Sequence, residues 1–521
     1  MEHRTRSVRL VLFLASLATV SVVGTSTPLS AARAEEWAMV GARYQGMGGA
    51  GVAAVNDSLA TYWNPGALAF AEASDVALPV GITLSAEGGV ITDLDEVARF
   101  LEETDFESIL DKIRNGETLD PDELQAALSL TFDQLADLDQ DNQGFQGSVH
   151  ASLAVRHERF AVSGMGIGYY GVDPLFDISN LSLTSGQADK ALRAVVGAGQ
   201  DRSAQLSSAG LDLAGDISDI FARFSNPAKA TPRAQELVYQ AEQAGVDTGD
   251  REVRKLARQI ARSTVKGDGD LSINDSGTFV SGLATEQVGL AYGHPFFERI
   301  GIGANVKYIH GISYFDLVQY DEVDNVGDAL SELTGRDRRR HDDDWGIDVG
   351  LLVKPWDWLR IGIVGRNLNE PSFQVDVPET FKALAGAPDN QFTLERQVRA
   401  GVAVEPFPWW TLAADVDVLE NQSENLSGFD SRLVSAGTEL RFDVWKVGLA
   451  LRGGVYANVA DGANNAVALT GGLGLRVWHL YLDLTAGASP DTEEIESDLG
   501  GNDEFPSRAN LAAALRFQKE F

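Results

Sequence analysis

The stretch IGIGANVKYIHGISYF, Ile300 to Phe315, changes character at every step. Its even positions Ile300, Ile302, Ala304, Val306, Tyr308, Ile312 and Tyr314 are apolar, apart from His310. The odd positions Gly301, Gly303, Asn305, Lys307, Gly311 and Ser313 are small or polar, broken by Ile309 and Phe315. Period two puts successive side chains on opposite faces of a strand, so this segment reads as a strand with one apolar face.

The same rhythm recurs outward from it. Val447, Leu449, Leu451 and Val455 oppose Gly448, Arg452 and Gly454, and Leu480, Leu482 and Leu484 oppose Asp483 and Thr485. Fourteen such segments begin near residues 74, 147, 160, 277, 300, 345, 359, 392, 410, 431, 447, 466, 480 and 507, the first interrupted by Pro79. Links after even-numbered segments are short, such as His157–Phe160 and Trp478–His479, while those after odd-numbered ones run longer. Many short turns are aromatic: Phe296, Phe297, Trp356, Trp358, Phe407, Trp409, Trp410, Trp445 and Trp478. A soluble sandwich would share the alternation. Loop parity, an aromatic rim and charges on the polar face instead predict an all-β membrane barrel of about 14 antiparallel transmembrane strands.

The N-terminus supports export. Arg4, Arg6 and Arg9 precede an apolar run, Leu10–Val23, and Ala32-Arg33-Ala34 forms an A-x-A cleavage site, so residues 1–34 read as a signal peptide. The 521-residue chain has 42 Lys and Arg against 76 Asp and Glu, net −34, which argues against a nucleic-acid partner. It has no cysteine, so thiolate catalysis, Cys-ligated metals and disulfides are excluded.

The expected domains are a plug over 35–73 and a barrel over 74–521 carrying extracellular helical inserts at 86–146 and 172–276. The first insert holds 17 acids and 3 bases, net −14. Leu94, Val97, Leu101, Leu124, Leu128 and Leu135 lie at helical spacing within it, and Asp120-Pro121 opens a second helix.

Gly46-Met47-Gly48-Gly49-Ala50-Gly51 fits G-x-G-x-x-G, but the βαβ unit of a dinucleotide site is missing, with Asn64-Pro65-Gly66 breaking the pattern. The run Gly41–Ala50, then Asp57, then Ala60-Thr61-Tyr62-Trp63-Asn64-Pro65-Gly66-Ala67-Leu68-Ala69 resembles the N-terminal plug of FadL-type outer-membrane proteins. The N-P-G-A-L order and the long inserts look most like the branch labelled conjugal transfer protein TraF. The resemblance implies a plug built on Gly46, Met47, Gly48, Gly49, Asp57, Tyr62, Trp63, Asn64 and Pro65. It also implies either passive uptake of hydrophobic small molecules or a conjugal-transfer or secretion scaffold. Phe517 and the terminal Phe521 share a face, the signal that barrel insertion machinery is known to read.

The polar face of the strands predicts a lumen row of Glu395, Arg399, Asp415, Asp417, Glu439, Arg441, Arg452, Arg476, Asp483, Arg508 and Arg516, able to pair across the lumen and with the plug. A basic amphipathic helix at 251–266 could rest on lipopolysaccharide, and Arg338–Asp344 reads as a solvated loop tip. Asp137, Asp139 and Asp141 start like a calcium loop but lack its glycine and closing Glu, so no metal and no cofactor are expected. The seven histidines are scattered without H-E-x-x-H, and G-x-S-x-G is absent, so no enzyme and no catalytic residue are expected. The partners expected are outer-membrane lipid and lipopolysaccharide, the insertion machinery, and a hydrophobic ligand or a conjugation or secretion partner. Leu94, Val97, Phe100, Leu101, Leu175, Phe176, Phe221 and Phe224 are candidates to line an apolar pocket for that ligand.

Overall fold

A strand that is apolar on one face only is stable where that face meets lipid and the other meets protein. In the computed structural model this condition closes the sheet. Residues 36–71, 73–93, 144–175, 200–222, 227–243, 245–249, 277–319, 339–377, 390–421, 429–497 and 501–520 are described, with a few isolated helical positions at 108, 112, 253–254 and 257–258. Among them, fourteen antiparallel strands form a closed barrel. They are β1 (Ala73–Glu87), β2 (Gly144–His157), β3 (Phe160–Leu175), β4 (Gly277–Phe296), β5 (Ile300–Gln319), β6 (Arg340–Trp356), β7 (Leu359–Arg366), β10 (Gln397–Phe407), β11 (Trp410–Asp417), β12 (Leu433–Val444), β13 (Val447–Asn458), β14 (Val467–Val477), β15 (Leu480–Ala488) and β18 (Arg508–Glu520). β1 pairs with β18, which leaves no free edge.

The even positions of Ile300–Phe315 face outward, with Ile302, Val306 and Tyr308 exposed, while Asn305, Lys307 and Ile309 point in and are buried. Leu290, Leu473, Leu484 and Leu511 continue the apolar outer face around the wall. Pro79, which has no N–H to donate, is accommodated because the β1–β2 ladder skips from Ala77↔Ala154 to Val80↔Ala151.

The short-turn rim is aromatic as expected. Trp356 stacks on Trp358 at 5.5 Å and Phe407 on Trp409 at 5.3 Å. Glu158, Trp445 and Trp478 take positive φ there (50°, 55° and 61°), so tight turns that ordinarily favour Gly or Asn carry bulky residues. No described helix is long and apolar enough to cross a membrane.

The wall is uneven in height. β4 and β5 have 20 residues each, against 8 in β7 and in β11, where about 9–11 suffice to span a bilayer. On the tall side the outward Val149, Tyr170, Val172, Val280 and Tyr314 are buried in a second apolar cluster with Val90, Ile91 and Phe505. Phe505 comes from a hairpin the sequence did not announce, β16 (Thr492–Ser497) with β17 (Gly501–Pro506). A second such hairpin, β8 (Ser372–Gln374) with β9 (Gln391–Thr393), folds against the inner faces of β5 and β6.

The later insert contains α3 (Ser208–Ala222) and α4 (Pro227–Gln243), packed through Leu213, Ile217, Ala234 and Val238. Arg254 and Arg258, two members of the expected basic helix, reach Asp216 at 3.5 and 2.6 Å rather than facing solvent alone. Most of the acidic insert, including Leu94–Leu101 and the Asp137–Asp141 stretch, lies outside the described residues, as do Phe176, Phe224 and Phe521.

Two expectations need correction. Arg340–Asp344 is no solvated loop tip: it opens β6, where Asp342 and Asp344 accept the Gln374 and Ser372 amides and so hold β8 in place. Glu395 is not in the lumen row, because the barrel strand starts only at Gln397 and Glu395 falls in the connection after β9.

Candidate functional site

Residues 36–70 fill the barrel's interior, nearly all of them buried. The segment coils through α1 (Ala42–Gln45), a glycine turn, α2 (Ala60–Trp63) and a 3-10 helix, Pro65–Phe70. Gly48 adopts φ +67°, and a Cβ there would strike the Val455 backbone, so the turn at Met47–Gly48 lies flat against the wall. Asn64 anchors the next turn: its Oδ1 accepts from Gly66 N at 2.9 Å, and its Nδ2 donates to the carbonyls of Val52 (3.0 Å) and Leu351 (3.1 Å). Pro65, which lacks the N–H a first helical turn would leave unpaired, then starts the 3-10 helix. The wall behind Pro65 and Gly66 is backbone only, supplied by Gly301, Gly303 and Gly350. Two of the plug's rings are satisfied within it. Trp63 Nε1 donates to the Val40 carbonyl at 2.9 Å and Tyr62 OH to that of Ala38 at 2.6 Å.

Charged groups of the lumen row converge on this plug. Arg43 forks onto Glu439 with two bonds of 2.9 Å, and Glu439 also accepts from Arg452 at 2.7 Å. Arg452 reaches on to Asp483 at 2.7 Å. Asp415 accepts the Gly51 and Val52 amides, both at 2.8 Å. Arg399 donates to Asp417 at 2.6 Å, while the other Asp417 oxygen accepts the Leu433 amide at 2.8 Å. Arg508 pairs with Glu36 at 3.2 Å and with Glu87. Asp57 caps Leu59 N and lies 3.9 Å from Arg43 and 3.8 Å from Arg516. Arg441 and Arg476 sit instead at the short-turn rim, beside Glu439 (3.6 Å) and Asp443 (3.0 Å). Phe517 faces outward, half exposed.

In the plug, burial opposes the Arg43 charge, but Glu439, Tyr44 and Asp57 outweigh it and hold the guanidinium protonated. Burial pushes the Glu36 carboxyl up, and Arg508 offsets this only in part.

Several partners escaped the sequence reading: Glu36 and Arg43 in the plug, and Asp75, Glu87, Arg156 and Asp348 on the wall. Arg156 meets Asp75 at 2.7 Å, and Lys307 meets Asp348 at 3.0 Å. Strand parity would have found the wall residues, since all occupy inward positions. Nothing local distinguishes Arg43.

Above the charged layer the inner wall turns apolar. Met165, Ile167, Leu283, Ile309 and Phe315 point inward and are buried, and the β8–β9 hairpin adds Phe373, Val375, Phe392 and Leu394 over them. These residues form one continuous apolar cluster with Trp37, Met39, Val40 and Tyr62 of the plug. Among the described residues, no group of three or more His, Asp or Glu is placed to hold a metal ion.

A plugged barrel with these inserts can be set beside known families. The family model described as "F plasmid transfer operon, TraF, protein" matches residues 61–417. The chain belongs to that family. The matched span of this TraF-family chain runs from the end of the plug to β11, taking in residues 86–146, the α3–α4 insert and the β8–β9 hairpin. Curated proteins include none that matches it. Solved structures similar to it include the CymD monoaromatic hydrocarbon channel, with 13% identity over 92% of this chain and 97% of that one, TM-score 0.41. The Ralstonia pickettii toluene transporter TbuX is similar at 13% identity over 92% and 98%, TM-score 0.41. The Pseudomonas putida toluene transporter TodX is similar at 10% identity over 94% and 100%, TM-score 0.39.

Proposed function

We propose that this TraF-family barrel sits in the outer membrane and passively admits a hydrophobic small molecule. The observation that carries this is the inner wall above the plug. A barrel that passes water or ions keeps a polar interior, whereas here Ile167, Leu283, Ile309 and Phe315 line it beneath Phe373 and Phe392. Parting the β8–β9 hairpin from this wall would give a desolvated apolar ligand a place to rest and a hydrated ion nothing. The lumen charges pair with the plug or with opposite charges on the wall, so they form no filter of one sign. The role is binding and passage, not catalysis.

The test is mass spectrometry of organic extracts from gently purified, folded barrel, alongside uptake of labelled oleate and toluene by cells that express it. A stoichiometric hydrophobic compound, lost together with uptake in Ile309→Asp and Phe315→Asp, is the expected result. An empty barrel with unchanged background uptake would overturn the reading.

The family match favours a second reading, a scaffold for conjugal transfer or secretion acting through its extracellular inserts. It predicts an empty lumen, a co-purifying protein and a loss of transfer frequency on deletion.

A further inference from the structure

The outer face of β5 and β6 carries a cluster of ionisable groups of its own. His310 stands opposite Asp343 there, and His341 stands opposite Ile312. His310 Nδ1 is 2.7 Å from Asp343 Oδ1, and the same oxygen accepts from Tyr308 OH at 2.6 Å. His310 Nε2 lies 3.3 Å from His341 Nδ1, with the ring centroids 5.5 Å apart and the planes 28° from parallel. Just below, Tyr308 and Trp345 meet edge to face at 5.5 Å. His310 follows Ile300, the first residue of β5, by ten positions. Since about 9–11 residues of a tilted strand span a bilayer, the cluster comes level with the outer membrane surface.

Asp343 decides where the protons sit. A carboxylate only accepts, so His310 Nδ1 carries the hydrogen and Nε2 keeps a lone pair turned toward His341. A neutral His341 holds its own proton on either nitrogen. With the proton on Nδ1 the two rings are hydrogen-bonded; with it on Nε2, two lone pairs face one gap. A separation of 3.3 Å is also what two nitrogens on one zinc ion show, each at about 2.0–2.1 Å and near the tetrahedral angle. An imidazole whose far nitrogen donates to a carboxylate is the common arrangement around a bound metal, because the carboxylate fixes the ring and makes the free nitrogen more basic. The sequence reading found no such site because the two histidines lie 31 positions apart, and only the β5–β6 register brings them together.

We propose that His310 and His341 form a two-histidine site for a dication of the zinc, nickel or copper class, with Asp343 as the positioning residue of His310. Imidazole suits these metals, whereas calcium and magnesium prefer oxygen ligands. The cation ties β5 to β6 above the Tyr308–Trp345 pair and keeps its remaining coordination positions for water outside the barrel. The site stands whatever the lumen carries.

The test is calorimetric titration of Zn2+ into folded full-length barrel in detergent, prepared without a histidine tag. One Zn2+ per chain is expected, undisturbed by excess Mg2+. His310→Ala and His341→Ala should each weaken binding at least about tenfold, and Asp343→Asn by about 10–100-fold. His294→Ala, at the short-turn rim of β4, should change nothing. His310→Gln stands in should His310→Ala not fold. Absence of stoichiometric Zn2+, binding that survives both histidine variants, or an equal loss in His294→Ala would overturn the site. An unchanged affinity in Asp343→Asn would overturn the part given to Asp343.

Discussion

Glu439 shows how much one inward carboxylate can hold. It accepts a fork from Arg43 of the plug and a further bond from Arg452 of the wall, with all three side chains nearly inaccessible. Glu439→Ala therefore removes the forked partner of buried Arg43 and one of the two carboxylates that hold buried Arg452. We expect it to destabilise the folded barrel by about 3–5 kcal/mol, read as a lowered urea midpoint in lipid vesicles. Gly303 is a different kind of dependence, steric rather than electrostatic. A Cβ built there would land on the Pro65 carbonyl, and on that wall the only room is the hydrogen a glycine carries. Gly303→Val should cost about 1–3 kcal/mol by overpacking, and it should raise single-channel conductance in planar bilayers as the plug base is displaced. A normal closed conductance with unchanged stability would refute the glycine seat. Strand parity made the wall glycine legible as an inward small residue, but its partner, Pro65, lies 238 positions away in the chain and no local pattern connects them.

Elements outside the membrane respond to pH in opposite senses. In the β16–β17 hairpin, burial pushes the Glu493 carboxyl up while it accepts the Ile91 amide at 2.7 Å. Its folded value lies above the ordinary Glu value of about 4.3. Docking of the hairpin is thus fully favoured below that ordinary value and weakens as pH rises through the raised one. In the α3–α4 insert, burial also pushes Glu236 up, but Arg202 and Gln240 more than offset this and leave it low. The stability that pair contributes is present above about pH 4.3 and is lost as pH falls through the depressed value. Hydrogen exchange from about pH 2 to 7 checks both: protection at Ile91 should fall as pH rises, and protection across α3 and α4 should fall as pH drops below about 4.3. Glu493→Gln should flatten the first profile. Neither hairpin was visible in the sequence, for a simple reason. Strands of three or six residues are too short to show a period, and only their docking against β6 and Ile91 makes them strands at all.

For the whole molecule the governing division is between an outer face that meets lipid and an inner face that meets the plug. Leu473, 57% exposed midway along β14, faces lipid. Leu473→Arg should cost about 2–4 kcal/mol of stability in vesicles, whereas an inward substitution at a similar depth, such as Thr485→Ser, should cost far less. If both cost the same, the strand parity assigned here is wrong. That parity, the fourteen strands, the aromatic short-turn rim and many of the inward charges were legible in the sequence. Each follows from a repeat of two residues or from turn length, and both are local properties. Which charges meet, that Arg43 rather than another arginine enters Glu439, that Glu395 falls outside the barrel strands, and that an apolar layer roofs the plug were decided only when the barrel closed. Closure brings together residues hundreds of positions apart, and no repeat along the chain records which of them end face to face.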